Sequence, residues 1–193
     1  MVARSIMSSI VFATPTDGSV SIRPATDEDA AFFFQLELQT TWENLPRSCG
    51  TKWKRDAVRE ALCATHHVML QMPDNAFFIA EVGGERAGLL WFGTRRNPVS
   101  GQEEGWIYNV TVCEAFRGRG LAKKLMQRAE EHARAQGHSI IGLSVAVHNE
   151  IAQELYRAQG YEPSNLTLRK SLSLGSHPDT YSGDCALCRE GDN

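Results

Sequence analysis

The chain has 193 residues, 42% of them hydrophobic, which is enough for one domain with a proper buried core. A formal net charge of −3 gives no global pull toward nucleic acid or an anionic membrane. No apolar run is long enough to span a bilayer, which excludes an integral membrane helix.

Residues 1–19 carry a short apolar run, IMSSIVFA, broken by two serines. They read as a loose leader rather than a signal peptide. Val20–Arg23 alternates and stops at Pro24, which predicts a first strand. Thr26, with Asp29 three residues on, is a helix start. It opens a first helix, AAFFFQLELQTTW, which Pro46 and Gly50 end. Trp53 to about Met72 predicts a second helical region, with Pro73 beyond it.

Ala76–Val82 predicts a strand, Gly83-Gly84 a two-residue hairpin and Arg86–Gly93 the returning strand. Residues 97–105 read as a polar turn, and Trp106–Val112 as a β-branched and aromatic strand. Leu121, Leu125, Ala129 and Ala133 then recur every four residues, with Lys, Arg and Glu on the other face. That is an amphipathic helix, stopped at Gly137. Ser139–Val147 predicts a strand apolar enough to be central. Asn149 to Gln159 predicts a helix with Ile151 and Leu155 inward. Tyr161 and residues 166–172 supply late strand, and residues 174–193 form a polar tail. Hairpin strands followed by strand–helix–strand–helix indicate an α/β sandwich with a mixed sheet.

The chemistry concentrates in FRGRGLA, residues 116–122, between a strand and a helix. Helix-start amides are unpaired and carry partial positive charge. Gly118 and Gly120 let an anion approach the backbone, and Arg117 and Arg119 add charge. This describes a phosphate or pyrophosphate site. A tight turn with solvated arginines explains the same seven residues equally well. Neither GxxxxGK[ST] nor GxGxxG is present.

Arg117-x-x-Gly120-x-Ala122 resembles the R/Q-x-x-G-x-G/A signature of the GNAT superfamily of N-acetyltransferases. Downstream, Asn149-x-x-Ala152-x-x-Leu155-Tyr156-x-x-x-Gly160-Tyr161 is similar to a second element of that family. The order and spacing of the two, with a helix and a strand between them, make the match specific. The resemblance implies one N-acetyltransferase domain over residues 20–173. Its fold would be an α/β sandwich with a mixed, mostly antiparallel sheet, splayed between strands 4 and 5 and flanked by helices.

It further implies acetyl-CoA as co-substrate. The pantetheine arm would lie along Val110, Thr111 and Val112, and against Asn149 and Ala152. The pyrophosphate would sit on Arg117, Gly118, Arg119, Gly120, Leu121 and Ala122. Tyr156 aligns with the family's tyrosine acid, although a helix tyrosine is also a packing residue. Asn149 serves equally as a helix cap. The acceptor would be an amine on a small molecule or protein, bound by Trp42, Glu43, Asn44, Tyr108 and Asn109. The other class that fits is a non-catalytic acetyl-CoA sensor.

The family's two usual positions for a carboxylate base hold Ser144 and Trp106. Glu103 and Glu104 read as solvated turn residues, and His148 ranks below a water relay. No side chain is assigned as base. Metal is not expected: Cys185-x-x-Cys188 has only His177 nearby, short of a four-ligand set. Neither nucleic acid nor a membrane is expected as partner, and a homodimer is left open. Five cysteines without regular spacing suit reduced thiols and a cytoplasmic location.

Overall fold

The computed structural model describes residues 18–45, 53–72 and 74–168. The expected leader, apart from Gly18 and Ser19, the Pro46 and Gly50 break and the tail with Cys185 and Cys188 lie outside the described residues.

Five strands form one sheet in the order β1-β2-β3-β4-β5. They are β1 (Val20–Pro24), β2 (Ala76–Val82), β3 (Glu85–Arg96), β4 (Glu103–Val112) and β5 (Ile141–Leu143). The first three pairings are antiparallel and β4 pairs with β5 in parallel. The helices are α1 (Ala30–Glu43), α2 (Arg55–Met69), α3 (Leu121–Ala135) and α4 (Glu150–Ala158). The β2–β3 hairpin turns on Gly83 and Gly84 at φ 60° and 82°, conformations that cost glycine no strain.

Strand alternation sends side chains to two cores. Phe78, Ala80, Leu90, Phe92 and Ile107 pack with Leu121, Leu125, Met126 and Ala129 of α3. Ile79, Leu89 and Trp91 face the other way, onto Phe33 and Leu36 of α1. The sheet is therefore a central layer between α3 and the α1–α2 pair. This is the flanked mixed sheet that the sequence predicts.

The decisive irregularity is in β4. Trp91 pairs with Asn109, but Phe92 pairs with Ile107, so Tyr108 is an extra residue. Such a bulge bends its strand and increases local twist. Before it, Gly105, Trp106 and Ile107 pair with Ile141, Gly142 and Leu143. After it, β4 pairs only with β3 among the described residues. The sheet splits there.

The split corrects two expectations. The strand predicted at 139–147 shrinks to three residues, because β4 offers no partner beyond Ile107. No strand follows α4 among the described residues: 162–168 are irregular, and the rest of the predicted strand lies outside them. Ile151 is 84% exposed rather than inward, whereas Leu155 is half-buried, as are Ala152, Gln153 and Tyr156. Residues 103–105 belong to β4 rather than to a turn. Glu103 and Glu104 lie opposite Arg96 and Arg95, and opposite charges across strands support pairing. Cys63, buried on α2, is disulfide-bonded, whereas Cys113 is a free thiol. Uniformly reduced cysteines do not hold at that position. No helix among the described residues is long and apolar enough to cross a membrane.

The start of α1 is fixed by Asp29, which is fully buried. Arg23 donates to both its oxygens, at 2.7 and 3.0 Å, and Arg86 donates at 2.7 Å. The Thr26 amide donates to it at 2.8 Å, from the predicted cap position. The Arg23 hydrogen bond, with help from Thr26 and Arg86, holds the Asp29 carboxyl well below the usual carboxylate range despite its burial. A depressed folded-state value means the stabilisation is present above the ordinary aspartate range and fades as pH falls through the folded one. Asp29→Ala should cost about 2–3 kcal/mol by urea denaturation at pH 7. This is below the ~3–5 of a fully buried pair, since both guanidiniums keep access to water. The difference between variant and wild type should shrink in strong acid.

Candidate active site

Glu37, Thr40, Thr41 and Asn44 fall at i, i+3, i+4 and i+7 on α1, so they form one stripe. The stripe forms one wall of a cleft of ≈ 230 Å³. Opposite stand Ile107, Tyr108, Asn109 and Val110 of β4. Residues 143–146, after β5, with Asn149 and Tyr156, complete it. The cleft is the split in the sheet, seen from the α1 side.

The floor of the split is backbone. The Cys113 amide donates to the Ala87 carbonyl on β3 at 2.9 Å. Antiparallel alternation then turns the N–H groups of Val110 and Val112 toward the opposite edge, and Thr111 toward β3. β5 does not reach that edge. The Val112 carbonyl accepts Arg117 Nε at 3.2 Å, which shows the direction it faces. Val110 and Val112 are left as donors along an open strand edge.

Beyond β4 the chain makes one 3-10 turn and enters the loop before α3. Gly118 and Gly120 have φ of 75° and 76°, in the left-handed region, and Gly120 caps α3. No hydrogen-bond partner occurs among the described residues for the amides of Gly118, Arg119 and Gly120. Those of Leu121 and Ala122 belong to the first helical turn, where no internal acceptor exists. Space above both glycines is open. Arg119 lies over the Phe116 ring at 5.5 Å, and Arg117 reaches Glu43 at 3.4 Å.

Asn149 does two jobs. Its Oδ1 accepts the Ala152 amide at 3.2 Å, capping α4, while Nδ2 donates to Asn44 Oδ1 at 3.0 Å. The second bond clasps α4 to the end of α1. Tyr156 lines the cleft, with its ring 6.1 Å from Tyr161. Burial pushes its phenol up from the ordinary value. Burial also raises Tyr108, offset in part by Arg95.

Asn44, Tyr108, Asn109, Val110, Asn149 and Tyr156 thus come together, whereas Trp42 and Glu43 do not line the cleft. Of the positions weighed for a base, only Ser144 lines it. Glu104 is buried and takes a 2.6 Å hydrogen bond from Asn97. Trp106 stacks under the Arg95 guanidinium at 3.7 Å. Sequence reasoning missed Glu37, the only carboxylate among the described residues of the lining, and His66, whose Nε2 lies 2.7 Å from Glu37 Oε2. A signal existed: Glu37 is four residues after Phe33 and one after Leu36, a carboxylate on the buried face of α1. No cluster of three metal-ligating side chains occurs among the described residues.

A sheet split beside a helix-start loop is the arrangement the sequence resemblance implied. A model of the "Acetyltransferase (GNAT) family" matches residues 38–161. The chain is 43% identical over 157 residues to the "Uncharacterized N-acetyltransferase YdgE" of Bacillus subtilis (strain 168), covering 79% of this chain and 98% of that one. Its fold is similar to a putative acetyl transferase from Pyrococcus furiosus, at TM-score 0.71 and 22% identity, over 80% of this chain and all of the other. It is also similar to AAC(6')-Iy in complex with the bisubstrate analog CoA-S-monomethyl-acetylneamine, at TM-score 0.60 and 22% identity, over 80% and 99% of the two chains. The chain belongs to the GNAT family of acetyltransferases.

The double role of Asn149 separates experimentally. Asn149→Ala should lose about 1 kcal/mol in urea denaturation, the usual value of a helix cap. Asn149→Asp, which keeps the acceptor for Ala152 and loses the donor to Asn44, should lose less than half of that.

Proposed function

We propose that the chain moves the acetyl group of acetyl-CoA to a primary amine by direct attack within a ternary complex. The observation that carries this reading is the open edge of β4 inside a cleft that also holds Tyr156. An extended amide-bearing chain such as pantetheine can pair with Val110 and Val112 as an added strand would. Asn149 Nδ2 would exchange its bond to Asn44 for a carbonyl of the same arm, with Ala152 beside it, while Oδ1 keeps the cap. The pyrophosphate would then meet the unpaired amides of residues 118–122 and the two arginines. These residues fit the donor's groups in their order along the molecule.

The chemistry follows from what lines the cleft. The amine nitrogen attacks the thioester carbon, and negative charge develops on the carbonyl oxygen. A β4 edge amide is a fixed donor for that charge and needs no reorganisation. The C–S bond breaks toward sulfur, whose free thiol has a pKa of ~8.5. Tyr156 would protonate it. Its raised value keeps the phenol protonated through the neutral range, as a general acid requires. The acceptor is an amine on a small molecule or a protein. AAC(6')-Iy, an aminoglycoside N-acetyltransferase of similar fold, supports the small-molecule alternative without deciding it.

Two substitutions test the reading. Gly120→Glu places a side chain and a negative charge where phosphate would sit, at a φ that disfavours any side chain. Acetyl-CoA binding measured by calorimetry should be lost. Unchanged affinity would remove the loop from the site. Tyr156→Phe keeps the ring and deletes the hydroxyl. Turnover should fall about 10²–10⁴-fold, with acetyl-CoA affinity nearly unchanged. In wild type, any decline from Tyr156 ionisation should lie on the alkaline side of the ordinary phenol range, and Tyr156→Phe should lack it. Equal loss of affinity with turnover preserved would make Tyr156 a binding residue.

A further inference from the structure

Acetyl transfer to an amine needs a proton acceptor, because an alkyl ammonium has a reference pKa of ~10.4 and its nitrogen has no lone pair to attack with. The two positions where the family resemblance places a carboxylate hold Ser144 and Trp106. A carboxylate nonetheless faces the cleft, from a different element.

Glu37 is 6% exposed, and it is the only Asp or Glu among the described residues that line the cleft. Its Oε2 lies 2.7 Å from His66 Nε2, a close ion-pair approach that is not aligned as a hydrogen bond, and neither atom has a hydrogen-bond partner among the described residues. Oε1 carries no hydrogen bond among the described residues and is not among the fully enclosed polar atoms, so in this cleft-lining residue it is the oxygen left accessible. His66 is 5% exposed and held edge-on against Trp91 at 5.1 Å and Phe34 at 5.7 Å. Trp91 is in turn fixed by Asn75, which accepts its indole N–H at 2.8 Å.

A pin between α1 and α2 would account for the contact alone. It does not account for the location. Phe33 and Leu36 already pack α1 against the sheet, and a buried acid–imidazole pair is commonly no more stable than apolar residues of the same size. Nor does a pin explain an oxygen left open to the cleft. The other titratable groups facing Glu37 there are Tyr108 from β4 and Tyr156 from α4, with His66 behind it. The segment after β5 contributes only Ser144, Val145 and Ala146 beyond Leu143, and Glu43 on α1 is turned to Arg117. Among the described residues that line the cleft, an ammonium meets one carboxylate and no Lys or Arg.

We propose that Glu37, oriented by His66, takes the proton of the acceptor ammonium. The assignment rests on the acetyl-transfer reading and deepens it: the acceptor binds as a cationic primary amine. One ammonium proton passes to Glu37 Oε1, giving a neutral amine and a carboxylic acid. The amine nitrogen then forms the N–C bond as the C–S bond breaks. That attack gives a tetrahedral centre whose collapse completes the C–S cleavage; the second N–H proton passes to water, the thiolate gains a proton from Tyr156, and the Glu37 acid returns its proton to the Tyr156 phenolate through solvent. The net products are an amide, a thiol and one proton. Glu37 touches the reacting nitrogen; His66 acts through Glu37 and is a positioning residue.

The test uses the full chain with acetyl-CoA and three probe amines: kanamycin, spermidine and Nα-acetyl-lysine amide. For the probe that wild type acetylates fastest, Glu37→Gln should lower kcat/KM about 10²–10⁴-fold at pH 7. Acetyl-CoA affinity should stay within about twofold. The deficit should close about tenfold per pH unit as the free amine supplies itself, whereas wild type levels off earlier. His66→Gln, which keeps an N–H donor, should lose less than His66→Phe and should shift the alkaline-rising limb. Wild-type rates in Glu37→Gln, or a loss of the same size at every pH, would overturn the assignment while leaving acetyl transfer intact. If Glu37→Gln fails to fold, the His66 pair decides, and an unmoved limb in both overturns it. If wild type binds acetyl-CoA and acetylates none of the three, the acetyl-transfer reading fails and the base falls with it.

Discussion

The extra residue in β4 is the constraint on which the rest of the structure depends. Paired backbone is the default for a sheet, because a buried unsatisfied N–H or C=O costs about 1–3 kcal/mol. Tyr108 breaks that default at one point. Ahead of it, β4 joins β5 and the sheet is continuous; beyond it, Val110 and Val112 keep donors on an edge that no strand among the described residues pairs with. Those groups are tolerable only because they face a cleft open to solvent or ligand. The bulge also moves the side chains. Ile107 and Val110 both join the α3 core despite being three residues apart, while Tyr108 joins the α1 side. A single inserted residue thus opens the cleft, lines one wall and exposes the donor edge.

The end of α1 bridges the two sides of this cleft. Glu43 reaches Arg117, beside the loop before α3, and Asn44 reaches Asn149, at the cap of α4. Both contacts use groups that the proposed donor molecule would engage. The Glu43–Arg117 contact is exposed, so its contribution to stability is small. Its consequence is geometric: the acceptor wall and the donor wall are connected before either substrate arrives. One turn earlier on the same stripe stand Thr40 and Thr41, and then Glu37. Negative charge is thereby placed on the α1 wall and backbone donors on the β4 wall, the two polarities that an ammonium and a developing oxyanion require.

Much of this was legible in the sequence. The Gly83-Gly84 hairpin, the four-residue spacing of α3 and the Asn149 cap are local patterns, and local patterns determine those elements. The segment from Arg117 to Ala122 was readable twice, as a helix start rich in glycine and as a family signature. What could not be read depends on tertiary pairing. Nothing in SIIGLSVAV says that its pairing stops at Leu143; that limit is set by a bulge on another strand. Glu103 and Glu104 look like turn residues until Arg95 and Arg96 lie across from them. Ile151 satisfies a helical spacing, but the half-buried residues of α4 are Ala152, Gln153, Leu155 and Tyr156. Glu37 was hidden inside an apolar run, one residue before the matched family region begins. Its partner is twenty-nine residues away and is brought to it only by the packing of α2.

The central claim is that the unpaired edge of β4 is where the acetyl donor binds. Amide hydrogen exchange at single residues, followed by NMR with and without saturating acetyl-CoA, tests it most directly. The account predicts strong new protection at Val110 and Val112, with Thr111, already turned to β3, little changed. Binding of acetyl-CoA with no change at Val110 and Val112 would contradict it.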